Sequence, residues 1–132
     1  MELSSKYQVT VSGGIVHSPS MTLIGPEADL YYTRIQASKV FISSTGIRGF
    51  HGVTAASPFH VSLKRHMIDA ADQVILLLDS SKFNSKGIHL TCNFSKISTI
   101  ITCKTESNLP CLEKLRETGV ELLFIDSENS HK

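Results

Sequence analysis

The 132-residue chain is long enough for one domain with a real core and too short for two. Its 41% hydrophobic and 19% charged residues are ordinary globular composition, and a net charge of +1 excludes a chain that binds a duplex by charge alone. The densest basic cluster, Lys64-Arg65-His66, is too small for such a footprint. The longest apolar run, Val74-Ile75-Leu76-Leu77-Leu78, is too short to cross a bilayer. No basic stretch followed by an apolar one opens the sequence, so no secretory leader is read and the cytoplasm is the expected location.

In chain order, Tyr7-Gln8-Val9-Thr10-Val11 alternates with period two and runs into Ser12-Gly13-Gly14, which predicts a strand entering a turn. Gly25-Pro26-Glu27 predicts a helix start, with proline at the first helical position and glutamate at the positive end of the dipole. This helix is expected to reach about Gln36 and to bury Leu30, Tyr31 and Ile35. Lys39-Val40-Phe41-Ile42-Ser43 reads as a strand ending in Ser44-Thr45-Gly46, followed by a glycine-rich stretch through Gly49 and Gly52 to Pro58. A second helix is expected over residues 59–71. Residues 73–78 are apolar on consecutive positions, which suits a parallel strand covered on both faces. Residues 84–87 read as a polar turn, and residues 88–94 and 97–102 as strands. Asn108-Leu109-Pro110 opens a helix ending at Thr118, with Gly119 in the left-handed stop position. Residues 120–125 read as the last strand and residues 126–132 as a frayed tail. The order of elements predicts an α/β fold: an open, mainly parallel sheet with flanking helices joined by right-handed crossovers.

The three cysteines, Cys92, Cys103 and Cys111, are odd in number and form no C-x-x-C pair, and Cys92 and Cys103, in apolar strand-like surroundings, are expected to be reduced, small buried hydrophobes. The histidines, His17, His51, His60, His66, His89 and His131, are scattered. His60 and His66 share a helix but are six apart and present no common metal-binding edge. No metal and no cofactor are expected.

Ligands of open α/β sheets bind beyond the carboxyl ends of the strands. Three polar loops read as occupying such places: Ser12-Gly13-Gly14, Ser43-Ser44-Thr45-Gly46 and Asp79-Ser80-Ser81-Lys82. Glycine admits close approach of backbone N–H groups to an anion, hydroxyls add donors, and lysine adds a mobile positive charge. Together they suit a phosphorylated, hydroxyl-rich ligand, although serine and glycine after a strand are, loop by loop, more often just a turn. Lys82 directly follows a buried strand and a carboxylate. Lys64, after the Gly52-Val53-Thr54 loop, is the second candidate cation; the plain alternative is that Lys64 and Arg65 form a solvated helix face.

Gly13-Gly14, Gly25, Lys39-Val40-Phe41-Ile42-Ser43-Ser44-Thr45-Gly46-Ile47, Gly52-Val53-Thr54, Lys64-Arg65-His66-Met67-Ile68 and Asp79-Ser80-Ser81-Lys82-Phe83 occur in an order and at separations that resemble the sensor domain of DeoR-type transcriptional regulators. The resemblance covers residues 7–125. It implies a fold similar to ribose-5-phosphate isomerase, in part, and a single effector-binding domain over residues 1–132. It further implies that this domain lacks the DNA-binding helix-turn-helix and the first part of the sensor domain. The implied partner is a phosphorylated sugar or related metabolite, with DNA reached only through the separate helix-turn-helix and no membrane partner. Carried over by position, the ligand-binding residues would be Ser44, Thr45, Gly46, Thr54, Lys64, Asp79 and Lys82. The chain departs from the family pattern at Phe59, His60, Ser62, Asn84 and Cys103. The isomerases that the fold resembles carry a glutamate immediately before the helix lysine. Leu63 stands there, so no catalytic residue is expected and the chain reads as a non-enzyme. Two other readings remain beside the sensor: an isomerase-like enzyme, and an effector-domain remnant that acts only in oligomerisation. A sheet with a bare edge tends to pair, so a homo-oligomer is expected.

Overall fold

The computed structural model describes residues 5–49 and 51–125, and its framework is a four-stranded parallel sheet. Strands β1 (Ile15–His17) and β2 (Thr22–Ile24) form an antiparallel ribbon that leads into helix α1 (Pro26–Tyr32). Strand β3 (Ala37–Ser43) is followed by the short hairpin strands β4 (Gly46–Arg48) and β5 (Gly52–Ala55), then helix α2 (Pro58–Asp69) and strand β6 (Ala71–Leu77). A 3₁₀ turn (Ser80–Asn84), β7 (His89–Cys92), a second 3₁₀ turn (Phe94–Lys96), β8 (Thr99–Cys103), α3 (Leu109–Glu117) and β9 (Glu121–Ile125) complete the order. The parallel sheet runs β3-β6-β8-β9, while β4, β5 and β7 make a separate antiparallel sheet. The α/β class and the parallel sheet with flanking helices are therefore present, and two small antiparallel sheets accompany them.

Side chains alternate across the parallel sheet, so each strand divides its apolar residues between two faces. Ile42, Val74, Leu76, Leu78 and Ile100 point into the core. There they meet Ile47 and Val53 of the hairpin, Ile68 of α2, Leu115 of α3, and Phe94 and Ile97 between β7 and β8. A satellite cluster of Ile24, Ala28 and Leu63 ties the ribbon and α1 to α2. The opposite sheet face is largely open: Phe41, Leu77, Leu123 and Ile125 are 56%, 44%, 46% and 58% exposed. Register places Leu77 beside Ile101 and Ile101 beside Leu123, so these side chains form one continuous apolar row.

The helix starts follow the sequence. Pro26 and Pro58 occupy first-turn positions, and the Ser57 hydroxyl caps α2 by accepting a hydrogen bond from the Phe59 amide (3.2 Å). Gly119, at φ +86°, takes the left-handed stop after α3. Several expectations are corrected. Residues 7–11 pair with no strand among the described residues, and Tyr7, Val9 and Val11 are exposed. Alternation alone could not supply the ladder partner that a strand needs. The first helix ends at Tyr32, where Thr33 turns its hydroxyl onto the Leu30 carbonyl (2.7 Å). It buries Ala28, with Tyr31 and Tyr32 half-buried, and leaves Leu30 and Ile35 exposed. The glycine-rich stretch is a hairpin, not a loop. Asn108 precedes α3 as expected, but its side chain does not cap the helix. Buried, it accepts from the Thr105 amide (2.8 Å) and donates to the Cys103 carbonyl (2.9 Å), latching the loop to the end of β8. The expected tail, residues 126–132, lies outside the described residues.

Candidate functional site

A cleft of about 570 Å³ opens at the carboxyl ends of β3 and β6, bordered by α2 and the β1–β2 ribbon. Ser43, Ser44, Thr45, Lys64 and Lys82 line it, over an apolar patch that includes Leu63 and Met67. Parallel strands end here together because β3 and β6 pair in register from Ala37↔Ala71 to Ser43↔Leu77, so the loops after both strands reach one place. No aspartate or glutamate lines the cleft among the described residues.

Lys64 lies on the second turn of α2 and sends its ammonium back to the Ser43 carbonyl (2.5 Å), so it is not part of a solvated face. Burial pushes its pKa below the usual lysine value, as expected for a cation without a carboxylate partner. Arg65 beside it is also committed: Nε donates to the Thr91 carbonyl (2.8 Å) and Nη2 to the Leu90 carbonyl (2.9 Å), fastening α2 to β7. Lys82 is carried by the 3₁₀ turn after β6. Asp79 caps that turn, accepting from the Ser81 amide (3.1 Å) and the Ser81 hydroxyl, while the Lys82 amide donates to the Asp79 carbonyl (2.9 Å). The hydrogen bonds from Ser81 hold the Asp79 carboxyl below the usual carboxylate range.

Of the seven residues expected from sequence, Ser44, Thr45, Lys64 and Lys82 line the cleft, and Gly46, Thr54 and Asp79 do not. The latter shape its walls. The buried Thr54 hydroxyl donates to the Gly46 carbonyl (2.8 Å) and accepts from the Gly87 amide (2.7 Å). The buried Ser44 hydroxyl is already engaged, lying 2.5 Å from the Gly46 carbonyl and 2.8 Å from the Thr54 carbonyl. Gly46 lies so close to the 84–87 turn that a Cβ there would sit 2.0 Å from the Ser85 carbonyl oxygen. Ser12-Gly13-Gly14, the third expected loop, does not contribute to the cleft.

Sequence reasoning missed a further group. His17 at the end of β1, Ser20 in the ribbon turn and His60 in the first turn of α2 all line the same cleft. Ser20 Oγ lies 2.6 Å from His17 Nδ1 and 3.1 Å from His60 Nε2, and the two imidazoles meet edge to face with centroids 5.0 Å apart. No spacing signal marks them, because forty residues separate Ser20 from His60. A larger cleft of about 740 Å³, lined by Arg48, His51, Leu90 and Asn93 among others, shares none of these residues. Among the described residues, no group of three or more His, Cys, Asp or Glu side chains is placed to hold a metal ion. No described helix is long and apolar enough to cross a membrane.

The DeoR C terminal sensor domain family matches residues 1–104. The chain is 31% identical over 104 residues to the uncharacterized HTH-type transcriptional regulator YulB of Bacillus subtilis, covering 77% of this chain and 40% of that protein. It is 27% identical over 120 residues to a putative aga operon transcriptional repressor of Escherichia coli O157:H7, covering 89% and 44%. With the HTH-type transcriptional repressor GlcR of Bacillus subtilis it shares 29% identity over 121 residues, covering 92% and 46%. The chain thus spans less than half the length of these relatives, all three named as transcriptional regulators or repressors and none as an enzyme. The resemblance read from Gly13-Gly14 through Asp79-Ser80-Ser81-Lys82 is accordingly a family relationship, and the chain belongs to the DeoR C-terminal sensor domain family of transcriptional regulators, not to a family of enzymes.

Proposed function

We propose that the cleft binds a phosphorylated sugar or a related small phosphorylated metabolite, and that its occupancy modulates DNA binding by a separate domain of a longer cytoplasmic regulator. The observation that carries this reading is the convergence of Lys64 and Lys82 with Thr45 in a cleft that no carboxylate lines among the described residues. Two ammonium groups, of which only Lys82 interacts with a nearby carboxylate (Asp79, outside the cleft lining), favour a ligand that brings its own negative charge, and nearby hydroxyls and backbone groups suit its oxygens. Leu63 and Met67 add apolar area against which a sugar's carbon skeleton can rest. Against the isomerase-like alternative, buried Leu63 holds the position before Lys64 where the isomerases that the fold resembles carry a glutamate.

The test is thermal melting against a panel in which each sugar phosphate is matched with its unphosphorylated sugar. A ligand held at a hundred times its Kd stabilises the folded state by about 2.7 kcal/mol. Only the phosphorylated members are expected to raise the melting temperature. Equal stabilisation by the free sugars, or by no member at all, would refute the reading.

Self-association is a second reading, and one observation favours it. Leu77, Ile101 and Leu123 form a continuous apolar row on one face of the parallel sheet, with exposed Phe41 and Ile125 on the same face, and such sheets are ordinarily covered on both faces. We infer that this chain pairs with a second copy through that face. The two readings are compatible, because the cleft lies at the strand ends and not on the bare face.

A further inference from the structure

The hydrogen count at Ser20 defines what the two histidines can do. A hydroxyl donates once and accepts twice. Ser20 Oγ receives the Thr22 hydroxyl at 2.8 Å and faces His17 Nδ1 at 2.6 Å and His60 Nε2 at 3.1 Å. If Ser20 donates along the shorter contact to His17 Nδ1, then His60 must donate from Nε2, which leaves His60 Nδ1 as the site that accepts a further proton. In that arrangement Ser20 Oγ already accepts twice, so a proton added at His60 Nδ1 needs no rearrangement at Ser20, and the two rings lie 5.0 Å apart.

The charges around His60 decide when that proton arrives. His17 faces it from β1, Lys64 lies one turn along α2, and Lys82 lines the cleft from the turn after β6. Partial burial, then His17, then Lys64 hold the His60 pKa below the usual histidine value. Asp79 interacts with Lys82 from outside the lining, but no aspartate or glutamate among the described residues lines the cleft beside His60 and Lys64, so an arriving anion is what would supply their countercharge.

We propose that the His17–Ser20–His60 chain is an anion-binding arm of the cleft that takes up one proton from solvent, on His60 Nδ1, when a dianionic phosphoryl-type group binds. This rests on the reading of the cleft as a phosphorylated-metabolite site and adds the charge state that the site selects. A phosphate ester has its second ionisation near pH 6 and is mostly dianionic at pH 7, where an imidazole held below its usual value is mostly neutral, so pairing the two draws a proton from solvent. Binding of an uncharged sugar brings no proton with it.

Side-chain nitrogen NMR of the histidines in the full chain, with ribose 5-phosphate and ribose as probes, reads this directly. In the free protein His60 is expected to titrate below the ordinary histidine value, with Nε2 carrying its proton. At saturation with ribose 5-phosphate its midpoint is expected to rise by about one pH unit or more, a tenfold or greater change in proton affinity. Ribose is expected to leave it unmoved. Calorimetry in buffers of different ionisation enthalpy should show proton uptake near pH 7 that His60→Gln abolishes, with ribose 5-phosphate bound more weakly by the variant. If ribose 5-phosphate shifts the Lys64 and Lys82 amide signals but leaves the His60 midpoint unmoved, the anion arm is overturned and the reading of the cleft survives. If ribose moves His60 as far as ribose 5-phosphate does, the arm is overturned as well. If neither probe perturbs any cleft residue, both readings fall together.

Discussion

The Thr54 hydroxyl sits between the Gly46 carbonyl and the Gly87 amide, fully buried, where no water can replace it. Thr54→Val keeps the shape and removes both bonds, so the part-buried Gly87 amide loses this acceptor while the Gly46 carbonyl retains the Ser44 hydroxyl. That should cost about 1–3 kcal/mol in urea unfolding. A variant as stable as the parent would show that the hairpin does not depend on this bridge. Cys92 offers a second check at the same scale. Burial pushes its thiol up to about 11, against the moderating charges of Arg65, Lys64 and Lys96. At pH 8 its thiolate fraction is then about a hundredfold below that of an ordinary thiol, so alkylation of Cys92 by iodoacetamide should be slowed by a similar factor relative to a free cysteine. Rapid modification in the folded chain would contradict this packing. Residue identity alone revealed the two lysines, because each sits beside a recognisable strand-end or helix-start signal. It could not reveal His17 and His60, whose meeting depends on how the ribbon folds onto α2. Nor could it distinguish Thr45, which lines the cleft, from Thr54, which braces the wall behind it.

At the scale of elements, legibility followed the source of the signal. Strands β3, β6, β8 and β9 were readable because consecutive apolar residues leave few alternatives for a short segment. Helices α2 and α3 carried prolines in the first turn, and Gly119 marked the end of α3. The small strands β1, β2, β4 and β5 were not readable, since segments of three or four residues are too short to carry a period. Their existence rests on partners such as Val53↔Cys92 and Ile15↔Ile24. Residues 7–11 show the opposite failure, a clear period without a partner. Asn108 was placed correctly, but its role was set by tertiary geometry: the amide found the Cys103 carbonyl instead of the first helical N–H groups. These small elements matter to function. The ribbon delivers His17 and Ser20 to the cleft, and the hairpin sets the loop that carries Thr45.

For the molecule as a whole, one sheet face is packed and the other carries a half-exposed apolar row. If that row is the contact between copies, light scattering should find a dimer or larger assembly at micromolar concentration. Leu123→Lys should shift it to monomer without unfolding it, because Leu123 is already 46% exposed. A monodisperse monomer in the parent chain would rule this contact out. The sequence pointed to association through a bare sheet edge, and the structure directs attention to a bare face as well. The cleft at the strand ends is the other whole-molecule feature, since ribbon, parallel sheet, α2 and the turn after β6 all contribute to it. Its central claim, recognition of a phosphorylated metabolite by paired lysines, is tested most directly by calorimetric titration of ribose 5-phosphate into the parent chain and into Lys82→Ala. Loss of one charge-assisted hydrogen bond costs about 1.5–3 kcal/mol, so saturable binding in the parent should weaken roughly ten- to a hundredfold in the variant. Equal affinity in the two proteins, or no binding to the parent, would contradict the account.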